Sequence, residues 1–346
     1  MDSLTQIRLT RELIDIDSTT GRESEAGERI ARTLERLGWS VTRQPVSDGR
    51  FNVIARVGDP VVTFSTHFDC VPPFFPSRVE AGRVYGRGAC DAKGILVAQI
   101  AAAERLRATG ESRVGLLFVV GEERGSDGAK AANTTAPSSA RYLINGEPTD
   151  NRLGAATRGV YRVRLHARGR AAHSSVPELG ESAIDKLLDA LVALRAVAWP
   201  EDPLLGRTSY SIGLISGGVA PNVISPGAQA ELMFRTVGGP ADLRAAIERH
   251  AGALVDVEDV LVVPPMHLTT VPGLDAAVFS FTTDIPFLDC WGAPLLVGPG
   301  SVTVAHTDHE YCDVTELERA VDVYASVATP LLSPNGTRGQ NGARGL

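Results

Sequence analysis

Three short, largely apolar runs in this chain each stop at charged residues. The runs, with the charged residues that follow them, are 61–66 with His67 and Asp69, 114–120 with Glu122 and Glu123, and 141–144 with Glu147. Short apolar runs bounded by Gly or Pro are typical of buried central strands. Because ligands bind beyond the carboxyl ends of strands in open α/β sheets, these charged residues stand where chemistry is expected.

Helical patterns alternate with these strands. Amphipathic or Ala- and Leu-rich segments predict helices at 4–14, 24–37, 92–108 and 316–332. Asp91 is a natural N-cap for the third of these helices, although the same carboxylate could instead serve a site. Strands that alternate with helices predict an α/β fold with a mostly parallel central sheet.

The pattern changes from about residue 159 onward. Residues 160–167 alternate apolar and polar positions, and the segments through residue 263 predict the order strand, helix, strand, strand, helix, strand. That order is typical of a ferredoxin-like α+β unit. We therefore predict a main domain of residues 1–157 and 267–332, an inserted domain of residues 158–266 and a disordered tail at 333–346.

Composition excludes several classes of protein. The chain of 346 residues has 34 basic and 41 acidic side chains and a net charge of −7, without a Lys- or Arg-rich run that would indicate nucleic-acid or membrane binding. Its charged N-terminus and the absence of a long apolar run argue against a signal peptide and a membrane span. The four cysteines form no Cys-x-x-Cys pair. We expect a cytoplasmic protein that acts on a small molecule.

Several carboxylates and two histidines are predicted to meet at the carboxyl edge of the sheet. They are His67, Asp69, Asp91, Glu122, Glu123, Glu147 and His306. So many acids would repel one another without a cation, and mixed imidazole and carboxylate ligands suit zinc, cobalt or manganese. Five ligands are too many for one tetrahedral zinc but suit two ions, which leaves a carboxylate free to act as general base.

Six ordered motifs resemble one family of metal-dependent hydrolases. They are His67-Phe68-Asp69, the Gly86–Gly94 segment with Asp91, Gly121-Glu122-Glu123, Gly146-Glu147-Pro148-Thr149, Gly169 with His173-Ser174, and the late His306. In this order they resemble the acetylornithine deacetylase, succinyl-diaminopimelate desuccinylase and carboxypeptidase G family, over residues 5–330. The resemblance implies a three-layer catalytic domain of the zinc-exopeptidase type and an inserted lid or dimerisation domain.

The resemblance also implies roles for the individual residues. His67 and His306 would each ligate one of two divalent ions, most simply zinc, with cobalt or manganese as alternatives. Asp91 would bridge the ions, and Glu123 and Glu147 would be the terminal carboxylates. Glu122 would be the general base, and Asp69 would hold the ring of His67. His309 is a rival to His306, which fits the register of the motif better.

Further residues of the family pattern would contact the substrate. His173 would stabilise the oxyanion, in its own or the neighbouring subunit of a homodimer formed through the inserted domain. Asn222 and Arg235 would bind the substrate, with the Arg235 guanidinium as the partner of a free carboxylate. Gly298 and Gly300 would offer backbone donors beside it.

The predicted reaction is hydrolysis of the amide bond of an N-acyl amino acid, with a water that bridges the two ions as nucleophile and Glu122 as base. A dipeptidase or carboxypeptidase of the same family is the alternative. A non-catalytic binding protein that retains the pocket is a more distant one. It would be indicated by loss of a ligand or of the base, and none is missing.

Overall fold

The computed structural model describes residues 1–333. Of the tail predicted at 333–346, everything beyond Ser333 lies outside the described residues. None of the helices within residues 1–333 is long and apolar enough to cross a membrane.

Seven α-helices occur in the described part of the chain. They are α1 (Ser3–Ile14), α2 (Ser24–Arg36), α3 (Lys93–Ala108), α4 (Asp127–Asn133), α5 (Ala183–Arg195), α6 (Pro240–Ala251) and α7 (Val314–Leu332). Single-turn 3-10 helices lie at Glu122–Arg124, Pro177–Leu179, Ile285–Phe287 and Asp289–Trp291.

Eighteen β-strands occur over the same residues. The first nine are β1 (Ser40–Ser47), β2 (Arg50–Arg56), β3 (Val62–His67), β4 (Arg78–Glu80), β5 (Arg83–Tyr85), β6 (Val114–Val119), β7 (Tyr142–Asn145), β8 (Leu153–Thr157) and β9 (Gly159–Arg168). The others are β10 (Glu201–Asp202), β11 (Gly206–Arg207), β12 (Ser209–Gly217), β13 (Gly227–Thr236), β14 (Asp256–Val263), β15 (Met266–His267), β16 (Ala276–Phe279), β17 (Ala293–Leu296) and β18 (Tyr311–Asp313).

The chain forms two compact units. Among the described residues, unit 1 comprises Met1–Ala155, Leu268–Ala277 and 283–333, and unit 2 comprises Ala156–His267 and Val278–Thr282. The second piece of unit 2 lies outside the insert predicted at 158–266.

Unit 1 is built on a six-stranded sheet with the order β1-β2-β6-β3-β7-β17. The pairs β6/β3, β3/β7 and β7/β17 are parallel, whereas β1 and β2 form an antiparallel edge. The predicted α/β fold is therefore confirmed, and its sheet is mixed, with three parallel and two antiparallel strand pairs. All residues of β3 and β6 are buried; β6 is continuously apolar, as a central strand predicts, whereas β3 also buries Thr63, Ser65 and Thr66.

Helix α3 is buried on almost every side, between the sheet and helices α1 and α7. Its Ala- and Leu-rich sequence fits this position, because a helix without a polar face gains most from burial on all sides. The predicted N-cap of this helix is wrong. The cap position is Ala92, and no side chain caps the helix, because the Asp91 carboxylate is turned to two histidines.

Unit 2 contains a four-stranded antiparallel sheet with the order β12-β13-β9-β14. Along the chain, these strands and the two helices follow the order β9, α5, β12, β13, α6, β14, which is that of a ferredoxin-like unit. The buried positions of β9 alternate with half-buried ones, since only one face of the sheet packs on the helices.

Candidate metal centre and active site

The parallel strands of unit 1 bring the predicted site residues to one edge of the sheet. Strand β3 pairs with β6 on one side and β7 on the other, with His67 opposite Val119 and Ser65 opposite Asn145. All three strands therefore end at the same level. The acids that directly follow β6 and β7 emerge beside His67, as the sequence predicted.

The Asp91 carboxylate lies between the two histidines. Its Oδ1 is 2.9 Å from Nε2 of His67, and its Oδ2 is 3.2 Å from Nε2 of His306. On the far sides, Glu147 Oε2 is 4.0 Å from His67 Nε2 and Glu123 Oε1 is 2.9 Å from His306 Nε2. The site thus has two halves, each with one histidine and one glutamate, which share a single aspartate.

The charge and burial of this arrangement fit divalent cations. Hydrogen bonds to Asp91 and Glu123 raise the pKa of His306 to about 10. Burial opposes protonation of His67, but hydrogen bonds to Asp69 and Asp91 outweigh it and raise the pKa of this histidine. Oε1 of Glu147 is buried without a hydrogen-bond partner among the described residues. The carboxylates thus favour positive charge at both histidines, and one buried carboxylate oxygen still lacks a partner, as expected of a site built to hold cations.

Asp69 organises both the histidine and the following acids. Nδ1 of His67 lies 3.0 Å from the backbone oxygen of Asp69 and 3.5 Å from its carboxylate. A carbonyl oxygen only accepts, so Nδ1 carries a proton and Nε2 faces the site. The Asp69 carboxylate also accepts hydrogen bonds from the amides of Glu122 and Glu123, at 3.1 and 3.2 Å, and from Thr20 Oγ1. It therefore fixes the turn that carries two more site residues, a role that the sequence did not indicate.

The turn at Gly121 favours glycine through both its backbone conformation and its close packing. Its φ is +78°, and a Cβ there would lie 1.7 Å from Oδ1 of Asp127. The turn directs Glu122 into a half-buried position, where loss of hydration raises the pKa of this acid well above its ordinary value and the charges of Glu147 and Asp284 add to the rise. Such a carboxylate gains a proton readily, as a general base requires.

The structure favours His306 over His309. The backbone of His306 has a φ of +63°, which turns its side chain toward Asp91 and Glu123. His309 is exposed, and its backbone amide donates to Thr307 Oγ1.

Glu310 holds the loop that leads to Asp91. Its Oε1 accepts hydrogen bonds from the amides of Gly88, Cys90 and Asp91 at 2.9–3.0 Å, and its Oε2 is 2.6 Å from Nη1 of Arg87. The carboxylate is completely buried. Sequence reasoning did not identify this role, because the contacts join segments that are far apart in the chain.

We expect Glu310→Gln to weaken divalent cation binding and to lower kcat by about 10- to 100-fold, the usual cost of losing a group that orients a metal ligand. The side-chain amide of glutamine could place its N–H hydrogens against the backbone N–H groups and Arg87, which now donate to the Glu310 carboxylate. Isothermal titration of the chelator-treated chain, together with steady-state kinetics, measures both effects. Glu318→Gln is the control, since Glu318 is exposed on α7. Unchanged cation affinity in Glu310→Gln would show that the loop holds its shape without this carboxylate.

Gly298 does not offer a free backbone donor, contrary to the prediction, because its amide donates to Thr149 Oγ1 at 2.9 Å. The physical role of Gly298 is close packing, since a Cβ on Gly298 would lie 2.4 Å from the backbone oxygen of Glu147. The role of Gly300 as a donor to substrate stays a prediction.

Three predicted substrate residues lie in unit 2. His173 pairs with Val223 in an isolated bridge, and Ser174 donates to the backbone oxygen of Asn222, so His173 and Asn222 are close. His173 is exposed, with Nδ1 2.8 Å from Ser175 Oγ. Arg235 lies on β13 and is half-buried. Over residues 1–333 no carboxylate comes within ion-pairing distance of its guanidinium, and burial lowers its pKa.

Comparison with known proteins shows the family to which this chain is related. The sequence profile of peptidase family M20/M25/M40 matches residues 63–329. The chain is 36% identical to a peptidase M20 domain-containing protein of Schizosaccharomyces pombe, over 92% of this chain and 82% of that protein. It is 37% identical to a probable carboxypeptidase of Aspergillus terreus, over 91% and 83% of the two chains.

Solved structures show the same fold. A Staphylococcus aureus tripeptidase matches with a TM-score of 0.79 and 19% identity, and an M20 family metallo-carboxypeptidase of Sulfolobus solfataricus with 0.74 and 17%. Each match covers 94% of this chain and 98% of the other. A dinuclear metal-binding M20 peptidase of Bacillus subtilis matches with 0.70 and 17%, over 94% and 97% of the two chains. The chain therefore belongs to peptidase family M20/M25/M40, and it is a hydrolase of amide bonds.

Proposed function

We propose that this protein is a dinuclear metal-dependent exopeptidase, a carboxypeptidase or dipeptidase that acts on short peptides with a free C-terminal carboxylate. The observation that carries the proposal is the Asp91 carboxylate, whose two oxygens face two separate histidine–glutamate pairs. The relatives named as carboxypeptidases favour peptides over the N-acyl amino acids predicted first. The acetylornithine deacetylase-type substrate remains the second candidate.

The ligands divide between the two halves of the site. His67 and Glu147 would hold one cation, His306 and Glu123 the other, and Asp91 both. Zinc, cobalt and manganese all suit this donor set. When bound, two such cations polarise the scissile carbonyl and lower the pKa of a water between them.

The remaining residues would move the proton and place the substrate. Glu122 would accept the proton of the attacking water and then donate it to the amine that leaves. Arg235 would bind the terminal carboxylate bidentately, which fits a half-buried guanidinium that has no protein counter-ion among the described residues. His173 would donate a hydrogen bond to the oxyanion, and Asn222 would orient the amide.

A substrate panel tests the proposal. We expect the chain, loaded in turn with zinc, cobalt or manganese, to cleave dipeptides with a free C-terminus and to prefer them to the same dipeptides with an amidated C-terminus. Arg235→Met should reduce this preference by about 10-fold or more, mainly through KM, because a charge-assisted bidentate contact is lost. Arg207→Met, a change at another arginine of unit 2, is the control.

Two results would contradict the proposal. Hydrolysis of N-acetyl or N-succinyl amino acids with higher kcat/KM than any dipeptide would favour the second candidate. If wild type and Arg235→Met prefer the free C-terminus over the amidated one equally, another residue must bind the terminal carboxylate of the substrate.

We also propose that unit 2 mediates homodimer formation. The outer face of α5 exposes an apolar stripe of Ile184, Leu188 and Val192 at helical spacing, with Val192 63% exposed. Strand β12 is an edge of the sheet and exposes Leu214 and Ile215. A free sheet edge and an exposed apolar stripe are each typical of surfaces that associate.

Light scattering tests the association. The wild-type chain should be a dimer, and the double variant Leu188→Asp, Val192→Asp should be a folded monomer. Leu4→Asp is the control, since Leu4 is equally apolar and 80% exposed on α1. A wild-type monomer, or a double variant that still dimerises, would contradict this interface.

A further inference from the structure

Asp284 is a buried acid that none of the roles above uses. It immediately precedes the 3-10 turn Ile285–Phe287 and is 1% exposed. Neither carboxylate oxygen accepts a hydrogen bond of normal length and angle from the described residues. The side chain does not cap the turn that it precedes. Burying a carboxylate without donors costs several kcal/mol, so a purely structural role would be better served by a neutral residue.

The segment that carries Asp284 is fastened to the helix that follows the Glu122 turn. Asn133 on α4 donates to Asp289 at 2.6 Å and accepts from the amide of Cys290 at 2.9 Å. The Nζ of Lys130, also on α4, lies 4.6 Å from the centre of the Phe287 ring. These contacts hold the segment that begins at Asp284 against α4, the helix that follows the turn bearing Glu122 and Glu123.

The electrostatic environment of Asp284 links it to the site. Burial raises the pKa of Asp284 to about 7, with the Ser126 side chain and the charge of His67 opposing the rise. Burial also raises the pKa of Glu122 and of Glu147, and the charge of Asp284 contributes to both. A negative charge that acts on a base and on a terminal ligand also acts on whatever cation lies between them.

We propose that Asp284 supplies negative charge to the metal centre from behind the Glu122 turn, without ligating either cation, and thereby sets the affinity of the site for divalent cations. The inference rests on the proposed dinuclear function. It explains why the fold retains an acid without a hydrogen bond of normal geometry: attraction to two doubly charged ions offsets the cost of its burial. Asp284 would thus act on the cations only through its charge.

The test is Asp284→Asn, which keeps the shape of the side chain. Two quantities are measured, the thermal midpoint of the metal-free chain and the Kd for Mn²⁺ and Zn²⁺ by isothermal titration. We expect the metal-free variant to be at least as stable as wild type, because no hydrogen bond of normal geometry is lost. We expect its cation affinity to fall on the order of tenfold. The loss should change little between about 0.05 M and about 0.5 M salt, since a buried charge is screened weakly.

Asp289→Asn is the matched control, because it removes an exposed charge from the same segment and should leave Kd unchanged. An unchanged Kd in Asp284→Asn would overturn the inference. A parallel fall of metal-free stability and affinity would also overturn it, since that pattern marks a structural residue. If Asp284→Asn does not fold, Asp284→Leu is measured in the same way. Failure of both variants to fold would show that Asp284 is a structural residue and would also overturn the inference. Absence of cation binding by the wild-type chain would instead reject the proposed dinuclear function.

Discussion

Glu122→Gln is expected to lower kcat for dipeptide hydrolysis by about 10²–10⁴-fold while the chain still binds two divalent cations per molecule. The reason lies in the turn at Gly121, which directs Glu122 into the site but leaves ligation to its neighbours. Glutamine keeps the size of the side chain but cannot accept the proton of water. KM should change little, because the substituted side chain binds neither end of the substrate.

Glu123→Gln is the informative comparison. The two acids are adjacent and share Asp69 as the acceptor of their backbone amides, so both variants disturb the turn to a similar extent. Glu123 contacts His306 at 2.9 Å, and its substitution should therefore lower cation affinity. Retention of more than about a tenth of wild-type kcat in Glu122→Gln would assign the base to another residue.

Asp91→Asn is expected to abolish tight binding of one cation and to weaken the other by at least about 100-fold, with activity lost in parallel. Asparagine offers one oxygen in place of two, so it cannot face His67 and His306 with equivalent acceptors. Burial opposes ionisation of Asp91, but hydrogen bonds from His306 and His67 hold its pKa well below the ordinary value. Both histidines lose this partner in the variant.

Equilibrium dialysis with elemental analysis measures the loss directly. Asp313→Asn is the control, because Asp313 pairs with Arg83 and both side chains are partly exposed. Two tightly bound cations in Asp91→Asn would show that the bridge is not needed, and each half of the site would then be self-sufficient.

Sequence patterns were sufficient for the residues at the ends of central strands. His67, Glu122 and Glu147 follow short, largely apolar runs, and parallel pairing places the ends of such runs at one edge. The predicted order of elements in the insert is likewise found in unit 2, since alternating patterns and helical stripes are local signals.

Residues whose roles depend on distant segments could not be read in the same way. For Asp91, local spacing suggested a helix cap and only the family motif suggested a bridge; in the structure its carboxylate faces His67 and His306 and does not cap the helix. Glu310 and Asp284 carry no local signal at all. Their importance depends on the amides of the Asp91 loop in one case and on burial near the Glu122 turn in the other.

Substrate class was the least predictable feature. The ligands and the base are those of any hydrolase of this type, so the choice between N-acyl amino acids and peptides depends on groups that meet the rest of the substrate. The proposal of a peptide substrate is supported by relatives that are named probable carboxypeptidases. The cytoplasmic location stays a prediction from sequence.

The central claim is a pair of cations held by one shared aspartate, and metal stoichiometry tests it most directly. The chain is stripped with chelator, dialysed against excess Zn²⁺ or Mn²⁺ and analysed for bound metal, with dipeptidase activity followed at each step. We predict two cations per chain and activity that appears only as they bind. One cation per chain at full activity, or full activity after complete removal of metal, would contradict the account.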